Sequence, residues 1–171
     1  MRAAAATALL LLLSAGAHAA GWTYSEGTDE VSNSTVHAAA LASANSLELP
    51  APDNGRNPGT LAVRDSAAQA GAAEVQLSIA KGHFACRAAT PCRLAVRFDE
   101  QPPQAFTGTE SPDGTNTLLL APAPAFVAGA RKARKIRIDL PLGKPGTQVL
   151  AFEPAAPLQW AAATAPAAKK R

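Results

Sequence analysis

The residues with the widest chemical range in this 171-residue chain are two cysteines, Cys86 and Cys92, and three histidines, His18, His37 and His83. Five residues separate the cysteines. A thioredoxin-type redox pair has two residues between its sulfurs, and a structural zinc site needs two further ligands that no spacing here supplies. An even cysteine count in an exported chain reads first as a disulfide, so a Cys86–Cys92 bridge is expected. If Gly82 to Cys86 and Cys92 to Phe98 are the arms of an antiparallel hairpin, Phe84 faces Leu94, Gly82 faces Val96, and both sulfurs share the apolar face. A bridge closing so short a loop removes about 2 kcal/mol of unfolded-state entropy.

His83 points outward in that hairpin, near Arg97. His37 or His83 would serve a small hydrolase only with a carboxylate and a nucleophile beside it. The chain has no G-x-S-x-G, H-E-x-x-H, Walker loop or dinucleotide fingerprint, so both histidines are expected to be solvated surface groups. The acidic pairs Asp29-Glu30 and Asp99-Glu100 are neighbours in sequence, and adjacent residues on a strand point to opposite faces. They are therefore expected to cap loops rather than to form a catalytic dyad. Asp53-Asn54-Gly55 and Asp113-Gly114-Thr115-Asn116 hold oxygen ligands, but Asp/Asn-Gly turns account for them without calcium. Asn33-Ser34-Thr35 fits a glycosylation sequon, a triplet that also arises by chance. No catalytic residue, metal or cofactor is expected, and the chain is not expected to be an enzyme.

The most unusual surface signal is the basic run Arg131, Lys132, Arg134, Lys135, Arg137. Lys135 and Arg137 fall on the polar side of one strand pattern, as Arg93 and Arg97 do on another. If the two strands share a sheet and face the same way, Arg93, Arg97, Lys135 and Arg137 form a band suited to an acidic protein or an anionic envelope component. The competing reading is a solvated face that keeps strand edges from pairing.

Those side chains need elements to carry them. Residues 1–19 read as a secretory signal, with Arg2 as the positive end, an apolar run from Ala3 to Leu13, and Ala17-His18-Ala19 as the cleavage site. The apolar run is too short to span a bilayer, which takes about 20 residues. A periplasmic or secreted protein without a membrane span in its mature form is expected.

The chain is 47% hydrophobic but only 5% aromatic, and 42 of its residues are alanine, which contributes little burial. The core must come from a sparse set of Val, Leu, Ile and Phe. The net charge is +3, and it falls to +2 once Arg2 leaves with the signal. Residues 20–80 carry two cations and seven acids, whereas residues 81–171 carry thirteen cations and six acids. So small a net charge is no nucleic-acid footprint.

Period-2 alternation dominates. Val75, Leu77 and Ile79 face in with Glu74, Gln76 and Ser78 out; Leu94, Val96 and Phe98 face in with Arg93, Ala95 and Arg97 out; Ile136, Ile138 and Leu140 face in with Lys135, Arg137 and Asp139 out. Weaker strands are expected at Trp22–Glu26, His37–Ser43, Leu61–Asp65, Thr117–Leu120 and Thr147–Phe152. Pro/Gly turns stand between them, and Gly82 is the expected hinge where the inward positions change parity. The expected fold is all-β, an antiparallel β-sandwich or flattened barrel of about eight or nine short strands, with one short helix near residues 126–133. One domain at residues 20–160 is followed by an Ala-rich basic tail, residues 161–171, expected to be disordered.

Trp22-x-Tyr24, Gly82-x-Phe84-x-Cys86, Cys92-x-Leu94-x-Val96-Arg97-Phe98-Asp99, Phe152 and Leu158-x-Trp160 together resemble the layout of small exported bacterial proteins of the type VI secretion-associated VasI/TagO-like kind. That resemblance implies a β-sandwich with a role in the cell envelope and no established catalytic residues. The basic run and the basic tail depart from that layout. The expectation is a non-enzymatic exported protein that binds a protein or an anionic envelope component. The alternatives are a secreted hydrolase inhibitor presenting Gln101 to Ser111 as its loop, and a small hydrolase using His37 or His83. The few large rings, Trp22, Phe84, Phe98, Phe152 and Trp160, are expected to be core anchors.

Overall fold

The structure is a computed structural model, and it describes residues 20–30, 33–65, 72–84, 86, 87, 89–112, 114–140 and 148–161. The expected signal, residues 1–19, and residues 162–171 of the expected tail lie outside the described residues. The strongest alternating segments form strands where the pattern places them: β4 (Ala73–Ile79), β5 (Cys92–Phe98) and β8 (Ile136–Leu140). The remaining strands are β1 (Thr23–Asp29), β2 (Ser34–Leu47), β3 (Asn57–Asp65), β6 (Gln104–Ser111), β7 (Gly114–Ala121) and β9 (Gln148–Phe152). One helix, α1 (Ala123–Ala130), follows β7. It begins three residues earlier than the apolar spacing predicts, because Pro124 suits the first turn, where its missing N–H leaves no hydrogen bond unmade.

All nine strands belong to one antiparallel sheet in the order β1-β2-β3-β4-β7-β6-β5-β8-β9, curled into a half-barrel. The fold is thus all-β with one short helix, and its form is a single curled sheet. Inward residues stand opposite one another from strand to strand: Leu41 with Leu61, Leu61 with Leu77, Leu77 with Leu118, Leu94 with Phe106, Val96 with Ile138, and Ile138 with Leu150. A slip of one residue would turn any of these rows to solvent, so the core fixes the register. Trp22, Phe84, Phe98, Phe152 and Trp160 are all buried in that core.

Helix α1 is held to the sheet by three rings. Phe126 lies 5.4 Å from Phe98 and 5.7 Å from Phe106 between ring centres, and Phe98 lies 6.4 Å from Phe106, all edge to face. That is the arrangement aromatic quadrupoles favour. Gly129, an unfavourable helix residue, has a packing reason: a methyl there would come within 2.6 Å of the Phe98 ring.

The curl brings the two ends of the sheet together without backbone pairing. Asn45 of β2 donates its side-chain amide to the Val149 carbonyl at 2.7 Å and accepts the Ala151 N–H at 2.8 Å. Gln148 of β9 reciprocates, accepting the Glu48 N–H at 3.0 Å and donating to the Glu48 carbonyl. Close by, Gly59 leaves room for the Leu150 side chain, which a Cβ would overlap.

The Cys86–Cys92 disulfide is present, with the Cα atoms 5.0 Å apart. The hairpin expected around it is not formed. β6 pairs β5 from Cys92 to Val96 and β8 pairs it from Ala95 to Phe98, so Val96, which Gly82 of the Gly82–Cys86 segment was expected to face, has both edges taken. That segment instead crosses the end of β6 and β7: the Phe84 N–H bonds Thr115 at 2.8 Å, and the Cys86 carbonyl accepts from Glu110 at 2.5 Å. The disulfide ties this crossing to the start of β5. Gly82 is the hinge, with φ at 79°, in the left-handed region that glycine tolerates.

Candidate functional site: the outer face of β5 and β8

β5 and β8 are adjacent and antiparallel, and their inward residues Leu94, Val96, Phe98, Ile136, Ile138 and Leu140 are buried. The alternate residues face outward. Arg97 stands directly opposite Arg137, and Ala95 opposite Asp139. Arg93 lies on the same side further along β5, and Lys135 lies two residues before Arg137. The four cations proposed from sequence are therefore brought to one face of two paired strands.

Their electrostatic surroundings differ. Lys135 forms an ion pair with Glu153 at 2.7 Å, and Arg137 with Glu100 at 3.1 Å. Among the described residues, Arg93 and Arg97 have no carboxylate partner. Like charges directly opposite on neighbouring strands destabilise a sheet by fractions of a kcal/mol. The Arg97–Arg137 pair is relieved on one side only, by Glu100, and the guanidinium of Arg97 remains available to an external anion.

Asp99 and Glu100 set this face. Asp99 adopts a left-handed backbone, φ 49°, and its Oδ1 accepts from the N–H groups of Arg134 and Lys135, each at 2.9 Å. The carboxylate thus fixes the turn that starts β8, while Glu100 pairs with Arg137. Loop capping is what the acidic pair does here. Arg131, Lys132 and Arg134 are exposed on the turn that Asp99 holds.

The histidines lie elsewhere. His83 is exposed after the Gly82 hinge, away from the β5 pairing expected for it. His37 was expected to be solvated, and it is 55% exposed but bonded: its Nδ1 lies 2.9 Å from Asp65 Oδ2, which also accepts the His37 backbone N–H at 2.8 Å. Glu26 approaches Nε2 at 3.9 Å. The Asp65 carboxylate thereby extends the β2–β3 contact past the Ala38–Arg64 pair. No local pattern signals this cluster, because His37 and Asp65 are 28 residues apart. Among the described residues no hydroxyl or thiol hydrogen-bonds the imidazole, and no group of three His, Cys, Asp or Glu side chains is placed to hold a metal ion.

Gln101 to Ser111, expected as a projecting loop, is largely strand β6, paired on both sides by β5 and β7. No family model matches this chain. No curated protein and no solved structure matches it either.

Proposed function

We propose that this is an exported, non-enzymatic β protein of the bacterial periplasm or envelope that binds an acidic protein or an anionic envelope component through Arg93, Arg97, Lys135 and Arg137. The observation that carries this reading is Arg97, set opposite Arg137 on the outer face of two paired strands with no carboxylate of its own among the described residues. Such a pair is preorganised for a phosphate or carboxylate, because two guanidinium forks present several N–H donors to one anion. The signal-like residues 1–19 and the disulfide support an oxidising, extracytoplasmic setting. No helix among the described residues is long and apolar enough to cross a membrane. The resemblance to VasI/TagO-like envelope proteins points the same way.

The test is binding of the purified protein to vesicles containing anionic lipid and to immobilised lipopolysaccharide over a salt series. Arg97→Ala together with Arg93→Ala is expected to lower affinity at least tenfold at low salt, with the melting temperature essentially unchanged. Equal binding by the variant would remove this face as the contact. The inhibitor alternative loses its loop, since Gln104–Ser111 lies inside the sheet order.

A further inference from the structure

The sheet has two ends, and the chain treats them differently. At β9, the side chains of Asn45 and Gln148 occupy backbone groups of the last strand and of the residue following β2. At β1, the first strand in the order, no described residue pairs with the outer edge. β1 meets β2 in unbroken register from Thr23–Ala40 to Asp29–Ser34. It contains none of the proline, lysine or bulge with which proteins blunt an exposed edge. Thr23 to Thr28 are all exposed. Alternate backbone N–H and C=O groups along this edge therefore face away from β2, as strand geometry requires.

The chemistry of the edge selects its occupant. β1 carries Glu26 and Asp29, and neither β1 nor β2 holds a lysine or arginine. A second copy of the strand would double the acidic charge along the seam without a counter-charge. A cationic strand would neutralise it. Tyr24 and Glu26 stand opposite Ala39 and His37, so they share one face, two residues apart. Tyr24 is 48% exposed, with its hydroxyl accepting the Gln159 N–H at 2.9 Å, and the Glu26 side chain is 70% exposed. A lysine or arginine entering beside them would meet a carboxylate and an aromatic face together.

We propose that the outer edge of β1 docks an extended, lysine- or arginine-rich segment of a partner protein, added to the sheet as a further strand. This site lies on a different strand from the β5–β8 face, and the seam of β2 with β9 stands between the two where the sheet curls back on itself. The probe is a fluorescein-labelled heptapeptide alternating lysine and valine, titrated with the purified protein by anisotropy, with hydrogen exchange read across β1. Saturable binding is expected, with slowed exchange at residues 23–29. Glu26→Lys weakens it at least tenfold, whereas Arg93→Ala with Arg97→Ala leaves it unchanged. A peptide of the same composition with alternating D and L residues keeps the charge but does not match the strand, and it binds at least tenfold more weakly. Equal binding of that peptide, indifference to Glu26→Lys, absence of saturable binding, protection confined to another strand, or a dimer that buries β1 would each overturn the proposal.

Discussion

Asn57 is fully buried at the start of β3, and its amide holds both backbone groups of Lys81: it donates to the carbonyl at 3.2 Å and accepts the N–H at 2.8 Å. Removing the amide leaves that part-buried N–H and C=O without their protein partner beside the Gly82 hinge, and loss of two such bonds costs about 1–3 kcal/mol. Asn57→Ala is expected to lower the unfolding free energy from urea titration by that amount, and a change below a few tenths of a kcal/mol would deny the clamp its role. Gly129 sets two effects against each other. Alanine is favoured over glycine in a helix by roughly 1 kcal/mol, yet the added methyl meets a Phe98 ring wedged between Phe106 and Phe126. Overpacking of that kind costs about 1–3 kcal/mol. Gly129→Ala should therefore lower the melting temperature, and a rise would show that the ring can yield. At this scale the sequence discloses residue type but not partner. Asp99 is legible as a loop-capping acid, while the reach of Asn57 to Lys81 and of His37 to Asp65 depends on strands that meet only in the fold.

Elements were legible in proportion to the contrast between their two faces. β4, β5 and β8 set Val, Leu, Ile or Phe against charged or polar neighbours, so period 2 is unmistakable. β6 places only Phe106 and Gly108 at consecutive inward positions, too little apolar mass to register, and it reads as a loop. In β2 the strand expected at His37–Ser43 is found despite the run Ala38-Ala39-Ala40, and what the pattern misses is its extension to 34–36 and 44–47, where Ser, Thr and Asn break the alternation of a 14-residue strand. The disulfide was legible because an even cysteine count and a signal-like start suffice to infer it; its surroundings were not, because the partners of β5 come from later in the chain. The bridge constrains the Phe84–Cys86 crossing rather than a hairpin. The double variant Cys86→Ala, Cys92→Ala should lose about 2 kcal/mol of stability in urea titration, with exchange at the Glu110 and Phe84 amides accelerating before that of β8. Uniform acceleration across the sheet would mean that the crossing has no separate stability.

Over the whole molecule, the charge asymmetry of the sequence maps onto different strands. β1 holds Glu26 and Asp29, neither β1 nor β2 holds a lysine or arginine, and the β5–β8 face and the turn after α1 hold most of the described cations. The two proposed sites carry opposite charge, so binding at each is expected to weaken with salt on its own curve. The seam between β2 and β9 carries a consequence for time rather than for binding. Its hydrogen bonds join residues 100 to 106 apart in sequence, among the longest separations in the chain. The entropy of closing so large a loop must be met before those bonds return anything, so contacts of this range form late. Asn45→Ala with Gln148→Ala should accordingly speed unfolding several-fold while the refolding rate changes less than twofold, as stopped-flow chevrons would record. Equal slowing of refolding would place the seam in the nucleus. Late closure leaves a newly made chain, for a short interval, as an open sheet with two unguarded margins instead of one, and in that interval the protein is most exposed to proteolysis and misassembly.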